Sequence, residues 1–252
     1  MRYRSSTLLM SLAVWLSAVP WVSCAVDHTP WDTLLRHDVE QGRVDYEGLK
    51  SERDTLDRYV ASLAQANPAS WSRQDQLAFW INAYNAVVVQ AVLDRYPLKS
   101  VRQIKGFFDG LRYRIAGRDL TLNEIEAESR ALGDWRIHFA VVCASRSCPP
   151  LRSEAYVGDR LDVQLAEQTR NFLRDSQQGL RVDAGTLWVS KIFDWYATDF
   201  IPTNELGALR RPTAEKLGQV LQPYLSTETM RAIEGRKLGL KFFPYDWSLN
   251  AT

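Results

Sequence analysis

The sequence predicts an α+β fold, with several helices packed around a small, mostly antiparallel sheet in a single domain. Three observations predict it. The stretch from residue 73 to 95 repeats apolar residues at helical spacing, two short alternating segments with a glycine between their halves read as hairpins, and no Pro/Gly/Ser-rich linker divides the 252 residues. Hydrophobic residues make up 46% and charged residues 24%, which excludes disorder for the bulk of the chain. Lys and Arg total 31 against 30 Asp and Glu, so no sequence-wide basic field exists to hold a nucleic acid.

The first segment is a leader. Arg2 and Arg4 precede an apolar run from Thr7 that is broken at Pro20 and ends in Ser23-Cys24-Ala25, the layout of a secretory signal over residues 1–25. Leu8 to Val19 is too short to span a bilayer, which needs roughly 20 residues. Cys24 offers an alternative, a lipid-modified cysteine tethering the chain to a membrane, although Trp21 stands where such sites usually have Leu. The expected location is therefore periplasmic or secreted. Without residues 1–25 the balance is 29 basic to 30 acidic residues, and two cysteines remain, Cys143 and Cys148.

From Trp31 onward the pattern is helical, with apolar positions at Leu49, Leu56, Tyr59, Val60 and Leu63. Asn67-Pro68 supplies a turn. Ser72 with Asp75 three residues later has capping-box spacing, and Leu77, Trp80, Ile81, Tyr84, Val88 and Ala91 follow on one helical stripe, so residues 73–95 form a long, largely buried helix. Tyr113 and Ile115 alternate with Arg112 and Arg114 before Gly117, which makes a hairpin, and Thr121 then caps a helix with Glu124 at its third position. Residues 137–143 (IHFAVVC) are a β-branched apolar run that reads as a buried strand, followed by a loop that Pro149-Pro150 keeps non-helical. Residues 161–176 are an amphipathic helix, and a second hairpin turns at Ala184-Gly185. An aromatic helical segment starts at Asp194, short helices cover 212–224 and 227–237, and the closing FFPYDWSLN is an extended tail with its aromatics docked on the core.

Few residues carry chemistry. The three histidines are His28, His37 and His138, too few and too scattered for a multi-histidine metal site. No HExxH, CxxC, GxSxG, P-loop or GxGxxG pattern occurs, so no cofactor is expected. What remains is the segment holding His138, Cys143 and Cys148. A thiolate activated by an imidazolium is the sharp reading. On a single strand, however, His138 and Cys143 would face opposite sides about 16 Å apart, at roughly 3.3 Å per residue. The bland readings are a hydrogen-bonded core histidine and a Cys143–Cys148 disulfide, whose small ring is worth only about 2 kcal/mol. Asn82 and Asn85 lie at i and i+3 on one side of the long helix, either satisfying the backbone of a neighbouring loop or forming a polar wall toward His138 or a substrate carbonyl. Glu124 and Glu126 fall on different helix sides, which argues against a paired-carboxylate glycosidase. Lys191, Asp194, Trp195, Tyr196 and Asp199 either edge an aromatic-walled cleft or dock a helix.

Together, LAFWINAYNA, RIHFAVVCASRSCPPLRSEAY, LWVSKIFDWYATDF and YDWSLN resemble the domain of unknown function 547 family, over a span from about Val44 to Asn250. The resemblance implies a characteristic residue set of Trp80, Asn82, Asn85, His138, Cys143, Ser145, Cys148, Pro149, Trp195, Tyr196 and Asp199, and no assigned reaction. Ser147 departs from it, standing where many members have Gly, which bears on the loop if a positive φ is needed there. A looser architectural similarity to papain-like and transglutaminase-like proteins lacks a cysteine on the long helix.

Three expectations follow. The first is an exported enzyme of acyl-transfer or hydrolase type, with His138 as acid/base, Asn82 or Asn85 orienting, Cys143 or Cys148 as nucleophile, and Trp80, Ser145, Trp195, Tyr196 and Asp199 contacting a small-molecule or peptide ligand. The second is a non-catalytic envelope domain with its cysteines joined. The third is thiol exchange.

Overall fold

Side-chain caps mark where several of the helices begin. The computed structural model describes residues 26–206 and 211–252; the expected leader over residues 1–25, with Cys24, lies outside the described residues. Helix α1 (Thr29–Asp38) buries Trp31, Leu34 and Leu35. A two-stranded hairpin, β1 (Val39–Glu40) and β2 (Arg43–Val44), leads into α2 (Tyr46–Ser51) and α3 (Arg53–Leu63). The helical pattern thus restarts at Asp45, whose carboxylate accepts from the backbone N–H groups of Glu47 and Gly48.

Ser72 caps α4 (Arg73–Leu93) by accepting from the Asp75 N–H at 3.1 Å. This helix is apolar nearly all round and is buried from Leu77 to Val89. By length and composition it is apolar enough to cross a membrane, yet 89% of its most apolar window is covered by the rest of the fold, the condition of a central core helix. Hairpin β3 (Tyr113–Ile115) and β4 (Arg118–Leu120) feeds α5 (Leu122–Ala131), whose capping box of Thr121 and Glu124 is complete and whose inner face packs along α4. Amphipathic α6 (Leu161–Arg174) precedes a third hairpin, β5 (Leu180–Asp183) and β6 (Thr186–Val189). The last two hairpins turn on Ala-Gly, at Ala116-Gly117 and Ala184-Gly185, with positive φ at all four residues, the requirement of a type I′ turn.

Two single-turn helices, α7 (Ile192–Trp195) and α8 (Ala197–Phe200), carry the aromatic segment. Helices α9 (Ala214–Leu221) and α10 (Thr227–Ile233) follow; α10 stops short of the expected residue 237, with Gly235 at φ 66° just beyond it. Strand β7 (Gly239–Phe242) then adds to β6 in parallel, so the strands fall into two hairpins and one three-stranded mixed sheet.

The expected strand over 137–143 is not one. Trp135–Phe139 form a 3₁₀ helix, capped by the Asp134 carboxylate accepting from Arg136 N–H, and Ala140 to Cys143 run on without a strand partner. The run is apolar because it lies between two cores. Ile137 and Ala140 to Val142 pack in the cluster around α4, whereas Phe139 joins Phe172, Phe193 and Phe200 in a second cluster under the three-stranded sheet. His138 sits at that seam.

The tail from Phe243 is extended and laid across the cysteine loop. Arg146 N–H donates to Ser248 O at 2.8 Å, Asn250 N–H to Ala144 O at 3.1 Å and Val44 N–H to Asn250 O at 3.0 Å. Tyr46 closes the contact by donating to Asn250 Oδ1 at 2.8 Å.

Candidate active site

The seam between the cores opens into a cavity of about 620 Å³, a volume suited to a small-molecule ligand. The 3₁₀ helix places His138 on its wall, although only 3% of the residue is exposed. Its ring stacks on Tyr196 at 4.0 Å between centroids, and Nε2 lies 2.8 Å from Asp199 Oδ2. Asp199 also accepts both arms of Arg130, from Nε at 2.7 Å and Nη2 at 2.8 Å. Burial opposes ionisation of Asp199, but the Arg130 and His138 hydrogen bonds outweigh it and hold the carboxyl well below the usual carboxylate range. An ionised Asp199 fixes the orientation of the imidazole.

A second titratable pair faces the same space. Glu126, on the inner side of α5, is 8% exposed and hydrogen-bonded to Tyr196. Burial raises its pKa against the opposing pull of that hydrogen bond and of the nearby His138 and Arg130 charges. Burial and the adjacent Glu126 also push the Tyr196 hydroxyl up.

Cys143 and Cys148 are joined as a disulfide on the cavity wall, with Cα atoms 6.3 Å apart. The loop between them uses one left-handed residue, Ala144 at φ 60°; Ser147 has no positive φ, so its departure from glycine leaves the loop unstrained. Cys143 is partly exposed and Cys148 buried. Tyr245, brought in by the tail, places its hydroxyl 3.4 Å from Cys143 Sγ and 3.3 Å from Cys148 Sγ, and Ser145 Oγ donates to it at 3.0 Å. Burial pushes the Tyr245 hydroxyl up to about 12. The rim is aromatic. Trp195, 47% exposed, lies 4.8 Å from Tyr245 and 6.0 Å from Trp247, while the Arg102 guanidinium sits over the Trp247 ring at 5.5 Å.

Of the residues singled out from the sequence, His138, Cys143, Cys148, Trp195 and Tyr196 meet in this cavity, and Asp199 and Ser145 bond to its lining. The strand-based separation of His138 from Cys143 is corrected, because the 3₁₀ turn brings both to one space. Among the described residues no hydrogen bond joins His138 to either sulfur. The twin amides and Trp80 lie elsewhere. Asn82 clamps Tyr156, donating to its O at 2.7 Å and accepting from its N–H at 3.0 Å; Asn85 donates to Ala140 O at 2.9 Å and accepts from Val142 N–H at 2.8 Å. Each amide satisfies buried backbone of a passing loop. Trp80 is a core residue, 4% exposed, packed edge-on against Phe79 and under Arg118.

Sequence reasoning missed Glu126, Arg130, Tyr245 and Trp247. Glu126 left a trace, since Leu122, Ile125, Glu126 and Ser129 stand at i, i+3, i+4 and i+7 and a carboxylate on that stripe must be buried. Among the described residues no three or more His, Cys, Asp and Glu side chains gather in a metal-holding group.

Residues 68–173 match the model of the family described as protein of unknown function, DUF547. Over that segment the chain is similar to the DUF547 family. Within the matched segment lie Asn82, Asn85, Glu126, His138 and both cysteines; Tyr196, Asp199, Tyr245 and the rim tryptophans lie beyond it, so the cavity is completed from outside the matched span. No curated protein and no solved structure matches the chain.

Proposed function

We propose that this is an exported enzyme of hydrolase or acyl-transfer type, acting by acid–base chemistry on a small-molecule or peptide ester or amide taken into the aromatic-rimmed cavity. One observation carries the reading. Two titratable arrays, one anchored on buried His138 and backed by Asp199 and Arg130, the other pairing buried Glu126 with Tyr196, face a single cavity, where a purely structural seam would be filled with apolar side chains. His138, oriented by Asp199, takes a proton from the attacking water. Glu126, whose burial favours the protonated form, returns one to the leaving group. With its sulfur tied to Cys148, Cys143 is not a standing nucleophile.

The test is hydrolysis of a panel of chromogenic esters, thioesters and peptide anilides by wild type, His138→Gln and Glu126→Gln, with folding of each checked by circular dichroism. The expected result is wild-type turnover of at least one member and losses of about 10²- to 10⁴-fold in each variant. Equal rates in all three proteins overturn the assignment. The joined cysteines favour a second reading, a non-catalytic envelope domain gripping a ligand by its aromatic rim, and wild-type inertness across the panel would select it. The disulfide also supports export to an oxidising compartment. Amino-terminal sequencing of the chain recovered from the cell envelope should start near Ala25 or Val26, and a retained Met1 would refute export.

A further inference from the structure

We infer that Cys143–Cys148 is an exchangeable disulfide, a thiol–disulfide exchange site for a thiol-bearing small molecule or peptide, with Cys143 as the sulfur attacked and Cys148 as the leaving sulfur. The inference stands apart from the hydrolytic reading, since it uses neither His138 nor Glu126. Three features support it.

The pair lines the cavity, whereas disulfides that serve only to staple a fold need no access to a ligand space. The two sulfurs differ in access. Cys143 is partly exposed and Cys148 is 7% exposed, so an incoming thiolate reaches Cys143 first. Hydroxyls flank both sulfurs, with Ser145 Oγ 3.1 Å and the Tyr245 hydroxyl 3.4 Å from Cys143 Sγ, but among the described residues the buried sulfur alone also takes a backbone N–H. The Cys143 backbone N–H points at Cys148 Sγ at 3.0 Å, and the Tyr245 hydroxyl donates to the same sulfur at 3.3 Å. The Tyr245 hydroxyl is free to do so because Ser145 Oγ donates to its oxygen at 3.0 Å, and each bond of such a chain strengthens the next.

In the step, the thiolate of the incoming thiol forms an S–S bond with Cys143 Sγ, the Cys143–Cys148 bond breaks, and its electron pair stays on Cys148 as a thiolate held by those two donors. A second equivalent of thiol attacks the mixed disulfide at the small thiol's sulfur. It departs as the oxidised disulfide, and the Cys143 thiolate left behind takes up a proton. The protein gains two electrons and the thiol pair loses two. Exchange quickens as the leaving thiolate is stabilised, which assigns Tyr245 a positioning role in the reaction.

The experiment uses reduced glutathione and dithiothreitol as probes on the native chain, with quenching by iodoacetamide and mass spectrometry. Reduction without denaturant is expected, and so is a glutathione adduct at Cys143 in Cys148→Ser exposed to oxidised glutathione. Cys143→Ser should form the Cys148 adduct at least tenfold more slowly. Tyr245→Phe, with its fold checked by circular dichroism, should slow reduction by dithiothreitol by about tenfold, and Ser145→Ala should slow it by less. A disulfide reduced only after unfolding would overturn the inference, as would equal adduct rates at the two cysteines. Failure of these readouts leaves ester and anilide hydrolysis untouched, and the reverse also holds.

Discussion

Replacing Asn85 by Ala tests how the site is held. The Asn85 amide is 2% exposed and makes two bonds, to Ala140 O at 2.9 Å and from Val142 N–H at 2.8 Å. Those groups belong to the stretch between His138 and Cys143, which has no strand partner, so removing the amide strands one carbonyl and one N–H in the interior. Each orphaned group costs about 1–3 kcal/mol, and the space vacated by the amide adds a smaller cavity term. The expected loss is about 4 kcal/mol, equivalent to a fall in Tm of roughly 8–16 °C for a domain of this size. Asn85→Asp should do no better, because a carboxylate keeps an acceptor for Val142 but turns a second acceptor toward the Ala140 carbonyl. Urea unfolding followed by tryptophan fluorescence gives the numbers. A loss under about 1 kcal/mol for Asn85→Ala would mean that the 140–142 segment finds other partners, and the clamp argument would be wrong.

Other outcomes follow from the same structure. Asp199 has a folded pKa below its unfolded value of about 3.9, so its stabilisation is complete above that pH and is lost as pH falls through the folded pKa. The gap in urea midpoint between wild type and Asp199→Asn should therefore hold steady near neutral pH and narrow below about pH 4, and a gap that widens in acid would contradict the ion-pair geometry. Glu126 shifts the other way. Burial raises its folded pKa, so its favourable contribution exists below the unfolded value of about 4.3 and is lost as pH rises through the folded pKa. Glu126→Gln should gain on wild type as pH rises above about 4, as read by denaturation midpoints. Phe139 is fully buried with ring centroids 5.3 Å from Phe172 and 5.8 Å from Phe193, so Phe139→Ala should cost about 3–5 kcal/mol in the same assay.

Local signals were readable wherever local chemistry decides the outcome. The N-cap at Ser72, the capping box at Thr121, the Ala-Gly turns and the stripe of α4 depend on residues within a few positions of one another, and the structure shows each, although the Asp75 carboxylate bonds the Ser72 hydroxyl and does not reach back to its backbone to complete a box. The run from Ile137 to Cys143 misled because burial between two cores selects the same β-branched residues as burial in a sheet, while its backbone partner is a side chain 57 residues away. The same long-range dependence hid Tyr245, whose sulfur partners are 97 and 102 residues distant. Asn82 and Asn85 showed correctly that buried amides need partners, but nothing in their spacing separates backbone from ligand. Asp199 and His138, 61 residues apart, met only in the fold.

The tail's hold on the cysteine loop bears on how this protein is to be dissected. A fragment excised at residues 68–173 would keep the imidazole and both sulfurs while losing the phenol that addresses them, the carboxylate that orients the ring and the tryptophans at the entrance. Such a fragment would bring together reactive groups without their supporting neighbours, and thiol behaviour measured on it would describe a solvent-exposed hexapeptide ring instead of the native site. Expression designs that clip or tag the end of the chain run the same risk, because Thr252 itself donates its N–H to Val44 O at 3.2 Å.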